Sequence, residues 1–162
     1  MSNEALVIVD MQNGFNSNLD TQEVEEKLSN INKNDYDMII ATKFVNKEES
    51  MFVKQLNYHE MFDVEDMEFL NIVKELYDIQ VPKNGYDGSE QVVSILKNTD
   101  IDTVYVIGFD TDGCVLSTAL GLFDNGYKAK IIEELCASSG GEDVHQAALD
   151  VLERCIGRDN VI

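Results

Sequence analysis

Cys114 is the residue whose type and position point most directly to chemistry. It follows the stretch VYVIGFDTDG, in which an apolar run stops at Gly108 and an acidic loop begins. The apolar run predicts a strand and the residues from Gly113 onward predict a helix, so the thiol falls in a first helical turn, where unpaired amides favour thiolate. The commonest role of a free cysteine, however, is that of a small buried apolar residue. Position alone leaves a nucleophile and a structural residue equally open.

Asp10 and Lys83 also follow apolar runs that predict strands. Asp10 comes after the run ALVIV, where an aspartate either caps a loop or acts as a general base; taken alone, the capping role is favoured. Lys83 follows Pro82, which restricts the backbone and fixes where the lysine points, although most lysines are simply solvated. Ligands of parallel α/β sheets bind beyond the carboxyl ends of the strands. We therefore expect Asp10, Lys83 and Cys114 at such strand ends.

Strand-like and helix-like stretches alternate along the chain. Predicted strands cover residues 5–9, 37–44, 79–81, 103–107 and 128–132, with 160–162 as a final edge strand. Predicted helices cover residues 21–31, 48–56, 66–76, 89–96, 113–123 and 142–155, and Ser89 is the expected N-cap of the fourth. The alternation predicts an α/β fold with three layers, helices on both faces of a mostly parallel sheet. A length of 162 residues fits one domain over residues 1–162.

The charge balance is strongly acidic, with 31 acidic and 12 basic residues and a net charge of −19. This balance argues against nucleic acids and anionic membranes as partners. No apolar stretch is long enough to cross a membrane, and the N-terminus lacks the features of a signal peptide. Three cysteines without paired spacing predict no disulfide framework, so we expect a reduced, cytoplasmic protein. A lysine at an active site should stay protonated in this negative field.

Other catalytic patterns have little support in the sequence. Asp110 and Asp112 could bind a metal, but no histidine is near them, and neither HxxxH nor CxxC spacing occurs. A dyad of Cys114 with His145 requires the histidine to reach the strand ends, which its position in the middle of a helix disfavours. The loop GFDTDG lacks the lysine of a phosphate-binding loop, and GxGxxG is absent.

Four segments in order resemble the isochorismatase-like cysteine hydrolases, the superfamily of nicotinamidases, carbamoylsarcosine amidohydrolases, ureidoacrylate hydrolases and isochorismatases. The segments are ALVIVDMQNGF, VPKNGYDGS, VIGFDTDGCVLSTALGLFDNGY and EELCASSGGEDVHQAALDVL. They are similar to the opening strand of that family, its lysine segment, its nucleophile segment, and the strand, loop and last helix that follow. The resemblance covers nearly the whole chain and implies the Rossmann-like fold of the family, with a homo-oligomer, a dimer or tetramer, as its assembly.

The resemblance assigns roles to individual residues. Asp10, Lys83 and Cys114 match the Asp-Lys-Cys triad of the family, with Asp10 as base and Cys114 as nucleophile. By motif position, the non-proline cis peptide of the family joins Phe109 to Asp110, and the backbone amides of Asp110 and Cys114 form the oxyanion hole.

The resemblance also suggests a substrate pocket, and two stretches of the chain differ from the family pattern. We expect Phe15 and Tyr86 to line the pocket. After the second strand the chain reads ATKFVNKEESMFVKQLNYHEMF, without the aspartate-x-histidine pattern that binds a metal in nicotinamidases. We therefore expect no metal or other cofactor and disfavour nicotinamide as the substrate. The run from Tyr86 to Ser89 replaces a more aromatic run of the family, which implies a differently shaped pocket.

The leading hypothesis is a metal-independent hydrolase of a small amide or ureido C–N bond, acting through a thioester. A vinyl ether hydrolase is an alternative that the cysteine disfavours, since such enzymes can lack it. A non-catalytic binding protein is disfavoured because all three triad residue types are retained. A redox enzyme would need a second cysteine nearby, and Cys136 and Cys155 are distant and expected to be structural. The carboxylates of Asp110 and Asp112 oppose a thiolate, so they must be outweighed or point away.

Overall fold

Five parallel strands form the centre of the molecule. The computed structural model describes residues 2–162. The strands are β1 (Glu4–Val9), β2 (Met38–Phe44), β3 (Ile79–Lys83), β4 (Thr103–Phe109) and β5 (Lys128–Ala137), in the spatial order β3-β2-β1-β4-β5. Every neighbouring pair in this order is parallel. The predicted α/β class is confirmed.

Helices cover both faces of the sheet. They are α1 (Leu19–Lys27), α2 (Met51–Leu56), α3 (Val64–Met67), α4 (Asn71–Leu76), α5 (Ser89–Leu96), α6 (Leu116–Asp124) and α7 (Glu142–Ile156). Side chains of α5, α6 and α7 pack in one apolar core on one face, and side chains of α1 and α4 pack in a second core on the other. This gives the three predicted layers. No helix within residues 2–162 is long and apolar enough to span a bilayer.

The burial of the central strand β1 explains why residues 5–9 form a continuous apolar run in the sequence. Residues 5–9 of β1 are all fully buried, because the strand has neighbours on both sides and helices on both faces. The edge strand β3 is more exposed and contains Pro82, whose missing N–H is tolerated at a sheet edge. Lys83, at the end of β3, is nevertheless buried.

The helix predicted over residues 66–76 is wrong, since α3 and α4 are separate helices with an extended segment between them. Phe69 in this segment forms an antiparallel bridge with Gln12. The Leu70 N–H donates to the Met11 carbonyl over 3.0 Å. Because these backbone groups pair with the segment after β1, they are not available for helical hydrogen bonds.

Other element boundaries also differ from the prediction. Ser89 is the first residue of α5 rather than its N-cap, and its hydroxyl donates to Asp87. The first predicted helix starts earlier, at Leu19, because Asn18 and Thr21 cap it reciprocally. The predicted strand 160–162 is reduced to one bridge between Ile131 and Val161. The last long strand, β5, continues five residues past the predicted end at residue 132, to Ala137.

Gly108 offers a test of how closely the two strands that position the site approach each other. It pairs with Val9 across β1 and β4 at φ +132°, and a Cβ atom there would clash with the Val9 carbonyl. We predict that Gly108→Ala lowers the free energy of unfolding by about 3 kcal/mol or more, because overpacking adds to backbone strain. The free energy of unfolding is obtained from urea titrations monitored by circular dichroism.

Gly85→Ala is the matched control, since a Cβ atom at that position meets nothing within 4 Å. Its effect should stay within about 0.5 kcal/mol. Equal unfolding midpoints for the two variants would contradict the packing described for Gly108.

Candidate active site

The structure brings Asp10, Lys83 and Cys114 together at the carboxyl edge of the sheet. Asp10 follows β1, Lys83 ends β3, and Cys114 lies in the turn after β4. The Lys83 Nζ atom is 2.7 Å from Asp10 Oδ2 and 3.2 Å from Cys114 Sγ. Because β2 separates β3 from β1, the lysine must reach across the end of a strand, which a long side chain allows.

Lys83 is held from several directions. Its ammonium donates to the carbonyl oxygens of Gly85 over 2.6 Å and Tyr86 over 3.2 Å, and it lies 5.3 Å from the centre of the Phe44 ring. Burial lowers the pKa of Lys83, but the charge of Asp10 and the hydrogen bonds to Asp10 and Cys114 outweigh it, and the net pKa is raised. The lysine therefore stays protonated, as expected from the sequence.

Asp10 is fully buried and positioned by the neighbouring strand β2. Its Oδ1 atom accepts a hydrogen bond from the Thr42 hydroxyl over 2.7 Å, and its N–H donates to the Thr42 carbonyl. Its Oδ2 atom has no aligned hydrogen-bond donor within residues 2–162, although Lys83 Nζ lies close. Burial raises the pKa of Asp10, and Lys83 only partly opposes this. The carboxylate is thus a better proton acceptor than an ordinary aspartate.

Cys114 lies in a wide helical turn, Thr111–Val115, that leads into α6, and the residue is buried, with 9% of its surface exposed. Burial raises the pKa of the Cys114 thiol well above its ordinary value, the charge of Asp10 raises it further, and Lys83 opposes both. The thiolate predicted from the helix start is therefore not supported. The group rests as a neutral thiol beside a carboxylate.

The two acidic neighbours of the cysteine turn their carboxylates away. Asp110 accepts hydrogen bonds from the N–H of Ser139 over 3.0 Å and from its hydroxyl over 2.5 Å. Asp112 accepts one from the Ser138 hydroxyl over 2.5 Å. Of the two alternatives left open by the sequence, the carboxylates point away, toward the loop after β5.

The backbone before the cysteine has an uncommon conformation. The peptide bond between Phe109 and Asp110 is cis. The Asp110 carbonyl accepts hydrogen bonds from the N–H groups of Gly113 over 3.1 Å and Val115 over 3.2 Å. Within the described residues the Asp110 N–H has no hydrogen-bond partner, so it is free to bind a ligand.

A cavity of about 900 Å³ opens over Cys114, and both expected pocket residues, Phe15 and Tyr86, line it. The aromatic rings of this wall are in contact with one another. Ring centres are 5.8 Å apart for Phe15 and Phe44, 5.0 Å for Phe44 and Phe52, and 4.9 Å for Phe52 and Tyr86. The wall is a continuous apolar surface suited to a flat or apolar ligand body.

Sequence reasoning missed several residues of this region. Phe52 and Tyr58 lie in the stretch 45–63, where no clear periodicity singles them out. Thr42 was included in a predicted strand but not recognised as the partner of Asp10. His145 does reach the strand ends, but its Nδ1 atom lies 2.7 Å from the Thr111 hydroxyl, with which it forms a hydrogen bond. It thus anchors the turn that carries the cysteine.

The other cysteines occupy different environments. Cys136 is buried in β5, and burial raises the pKa of its thiol to about 12. Cys155 is exposed on α7, so it is not part of the core, in contrast to its expected structural role.

The residues after β2 do not fit a metal site. Within residues 2–162 no group of three or more His, Cys, Asp or Glu side chains could hold a metal ion. Lys43 lies with its Nζ atom 5.7 Å from the Phe69 ring centre, and the His59 ring hydrogen-bonds to Asn57.

Comparisons with solved structures agree with this architecture. A nicotinamidase from Staphylococcus aureus is 26% identical, with a TM-score of 0.76 over 97% of this chain and 96% of that chain. N-carbamoylsarcosine amidase from Thermoplasma acidophilum is 21% identical, with a TM-score of 0.80 over 95% of this chain and 92% of that chain. Pyrazinamidase of Pyrococcus horikoshii, solved in complex with zinc, is 19% identical, with a TM-score of 0.79 over 95% of this chain and 96% of that chain. A search of curated proteins found no significant match.

The family comparison covers nearly the whole chain. The model of the isochorismatase domain matches residues 4–158, which include the sheet and all three residues that meet at its carboxyl edge. The chain belongs to the isochorismatase family and is a hydrolase.

Proposed function

We propose that the protein is a metal-independent cysteine hydrolase that cleaves the C–N bond of a small amide or ureido compound through a thioester. One observation carries the proposal. A buried thiol, a buried carboxylate and a buried ammonium lie within hydrogen-bond reach, with Lys83 Nζ 2.7 Å from Asp10 and 3.2 Å from Cys114, and the thiol lines a cavity large enough for a small molecule.

In the first step Cys114 attacks the substrate carbonyl. Its Sγ atom forms a bond to the carbonyl carbon while its proton passes to Asp10, and the electron pair of the C=O bond moves to oxygen. The amides of Asp110 and Cys114 are proposed to donate to this oxyanion. The raised pKa values of thiol and carboxylate favour this direct proton transfer over a preformed thiolate.

The intermediate then collapses to an acyl-enzyme. The C–N bond breaks, the leaving nitrogen takes the proton from Asp10, and ammonia or an amine departs. Asp10 next accepts a proton from water, whose oxygen attacks the thioester carbon. The C–S bond breaks and the thiol regains its proton from Asp10. A carboxylic acid is released from an amide, and a carbamic acid from a ureido compound whose second nitrogen stays on the acyl carbon.

Lys83 keeps the charge of the buried site balanced in this scheme. A carboxylate and an ammonium together are neutral, so a neutral thiol adds no buried charge. Thiolate without proton transfer to Asp10 would leave a net negative charge in a dry site, which burial penalises. Lys83 acts by holding Asp10 and Cys114 in place rather than by exchanging a proton.

The role of the nucleophile is tested by Cys114→Ala. We predict that this variant loses about 1,000-fold or more of its ammonia release from a panel of primary amides and ureido compounds. Mass spectrometry of quenched wild-type reactions should find the acyl group on the peptide that contains Cys114. Cys155→Ala, which removes an exposed thiol, is the control and should keep full activity. Unchanged turnover in Cys114→Ala contradicts the thioester mechanism.

The variant Asp10→Asn distinguishes two effects of Asp10: its role as proton acceptor in hydrolysis and its influence on the pKa of the Cys114 thiol. The negative charge of Asp10 raises the pKa of Cys114, whereas Lys83 lowers it, so removing the charge should lower the pKa. We predict faster alkylation of Cys114 by iodoacetamide at pH 7.5 and a titration midpoint at lower pH, while hydrolysis falls about 100-fold or more. Peptide mapping across a pH series measures the labelling.

The exposed Asp124, at the end of α6, provides the control for charge removal. Asp124→Asn should leave both rates unchanged. If Asp10→Asn slows alkylation of Cys114 at every pH, Asp10 stabilises the thiolate and the proposed order of events is wrong.

Metal independence is tested directly. The stretch after β2 places Lys43, Phe44 and Val45 where a metal-binding pattern would be needed. We predict that dialysis against EDTA and 1,10-phenanthroline leaves the hydrolysis rate unchanged, with metal content far below one ion per chain. The zinc-bound pyrazinamidase of Pyrococcus horikoshii serves as the positive control for metal analysis. Stoichiometric zinc or iron, with activity restored by re-addition, contradicts the proposal.

A further inference from the structure

The charged residues among those that line the cavity over Cys114 are all acidic. They are Glu60, Asp66, Asp110 and Asp112. No lysine, arginine or histidine is among the residues of the described chain that line this cavity. With a net charge of −19 on the whole molecule, both the local and the overall potential oppose entry of an anion.

The nearest buried cation does not change this balance. Lys83 is 1% exposed and is engaged by Asp10, Cys114 and two backbone carbonyls. A substrate carboxylate could reach it only by displacing those partners. Lys54, on the same helix α2 as the cavity residue Phe52, pairs with Glu49 over 3.0 Å.

The four carboxylates fall into two pairs. Asp110 and Asp112 are bound by the serine hydroxyls of the loop after β5. Glu60 and Asp66 line the cavity, and within residues 2–162 neither side chain has a hydrogen-bond or ion-pair partner. Glu60 and Asp66 are therefore free to bind a ligand, whereas the other pair is already engaged.

Tyr58 lines the same cavity. Burial and then the charges of acidic neighbours, Glu60 first, raise the pKa of Tyr58 to about 12. The tyrosine keeps its proton and adds a ring to the cavity wall.

The aromatic wall gives an independent indication of the same ligand charge. Six aromatic side chains line the cavity: Phe15, Phe44, Phe52, Tyr58, Tyr86 and Phe109. The faces of such rings attract cations. Rings and free carboxylates together are the surroundings in which proteins hold ammonium groups.

Building on the amide hydrolysis proposed above, we propose that the cavity selects a cationic amide. The amide lies at Cys114, an apolar or aromatic body lies along the ring wall, and a protonated amine lies at Glu60 and Asp66. Amides bearing a carboxylate are excluded, which removes ureido acids and other anionic substrates from the candidates.

A set of matched substrates tests the selection. The compounds are 4-(aminomethyl)benzamide, 4-methylbenzamide and 4-carboxybenzamide, which differ in charge at one end. We expect kcat/KM for the cation to exceed that for the neutral compound about tenfold at low salt, with the anion slowest. Glu60→Gln combined with Asp66→Asn should reduce the cation preference, and the nearby exposed Glu65→Gln should not.

Thiol labelling tests the same charge selection without any hydrolysis. Methyl, 2-aminoethyl and 2-sulfonatoethyl methanethiosulfonates each form a disulfide with Cys114 and release methanesulfinate. Their rates, mapped in a Cys155→Ser background and divided by the rates for a free small thiol, should fall in the order cation, neutral, anion. The double variant should reduce the cation-to-anion ratio about fivefold or more.

The two assays separate failure of this inference from failure of the proposed function. Equal labelling rates, or faster labelling by the anion, overturn the charge selection whatever is hydrolysed. Fastest hydrolysis of 4-carboxybenzamide overturns it while supporting amide hydrolysis. Cation-selective labelling with no hydrolysis of any amide supports the charge selection and overturns the proposed function.

Discussion

The buried ion pair between Lys83 and Asp10 is the interaction on which the rest of the site depends. Two charges out of water are costly, and they are tolerated only when each finds its partner and further hydrogen bonds. Thr42, Gly85 O and Tyr86 O supply those bonds. The parallel sheet makes this arrangement accessible, because the carboxyl ends of its strands meet along one edge and the lysine spans the end of β2.

The Lys83–Asp10 pair also determines the charge of the reacting centre beneath the cavity. Inside, ammonium and carboxylate cancel, and in the proposed mechanism the thiol is neutral at rest and reacts by giving its proton to Asp10. Outside, the cavity keeps an uncompensated negative charge from Glu60 and Asp66 beside a wall of aromatic rings. An electrically neutral reacting centre accounts for the proposed chemistry, and the acidic residues of the cavity above it account for the proposed choice of substrate.

Local patterns in the sequence were sufficient for the positions of the five main strands and for the three residues at strand ends, although not for the full length of β5 or for residues 160–162. β1 and β4 could be predicted because continuous apolar runs are the direct consequence of burial on both faces. The break between α3 and α4 could not, because it depends on the pairing of Phe69 with Gln12, far away in the chain. The same holds for the His145–Thr111 contact and for the cavity wall from residues 45–63, which only the assembled fold brings to the site.

The most direct test of the central claim is a crystal structure of the protein trapped with a slowly hydrolysed amide. The account predicts a covalent bond from Cys114 Sγ to the acyl carbon, with the acyl oxygen at the amides of Asp110 and Cys114. The Lys83–Asp10 pair should be intact and the acyl body should lie along the aromatic wall. An adduct on another residue, or an acyl oxygen bound by Lys83 with Asp10 displaced, would contradict it.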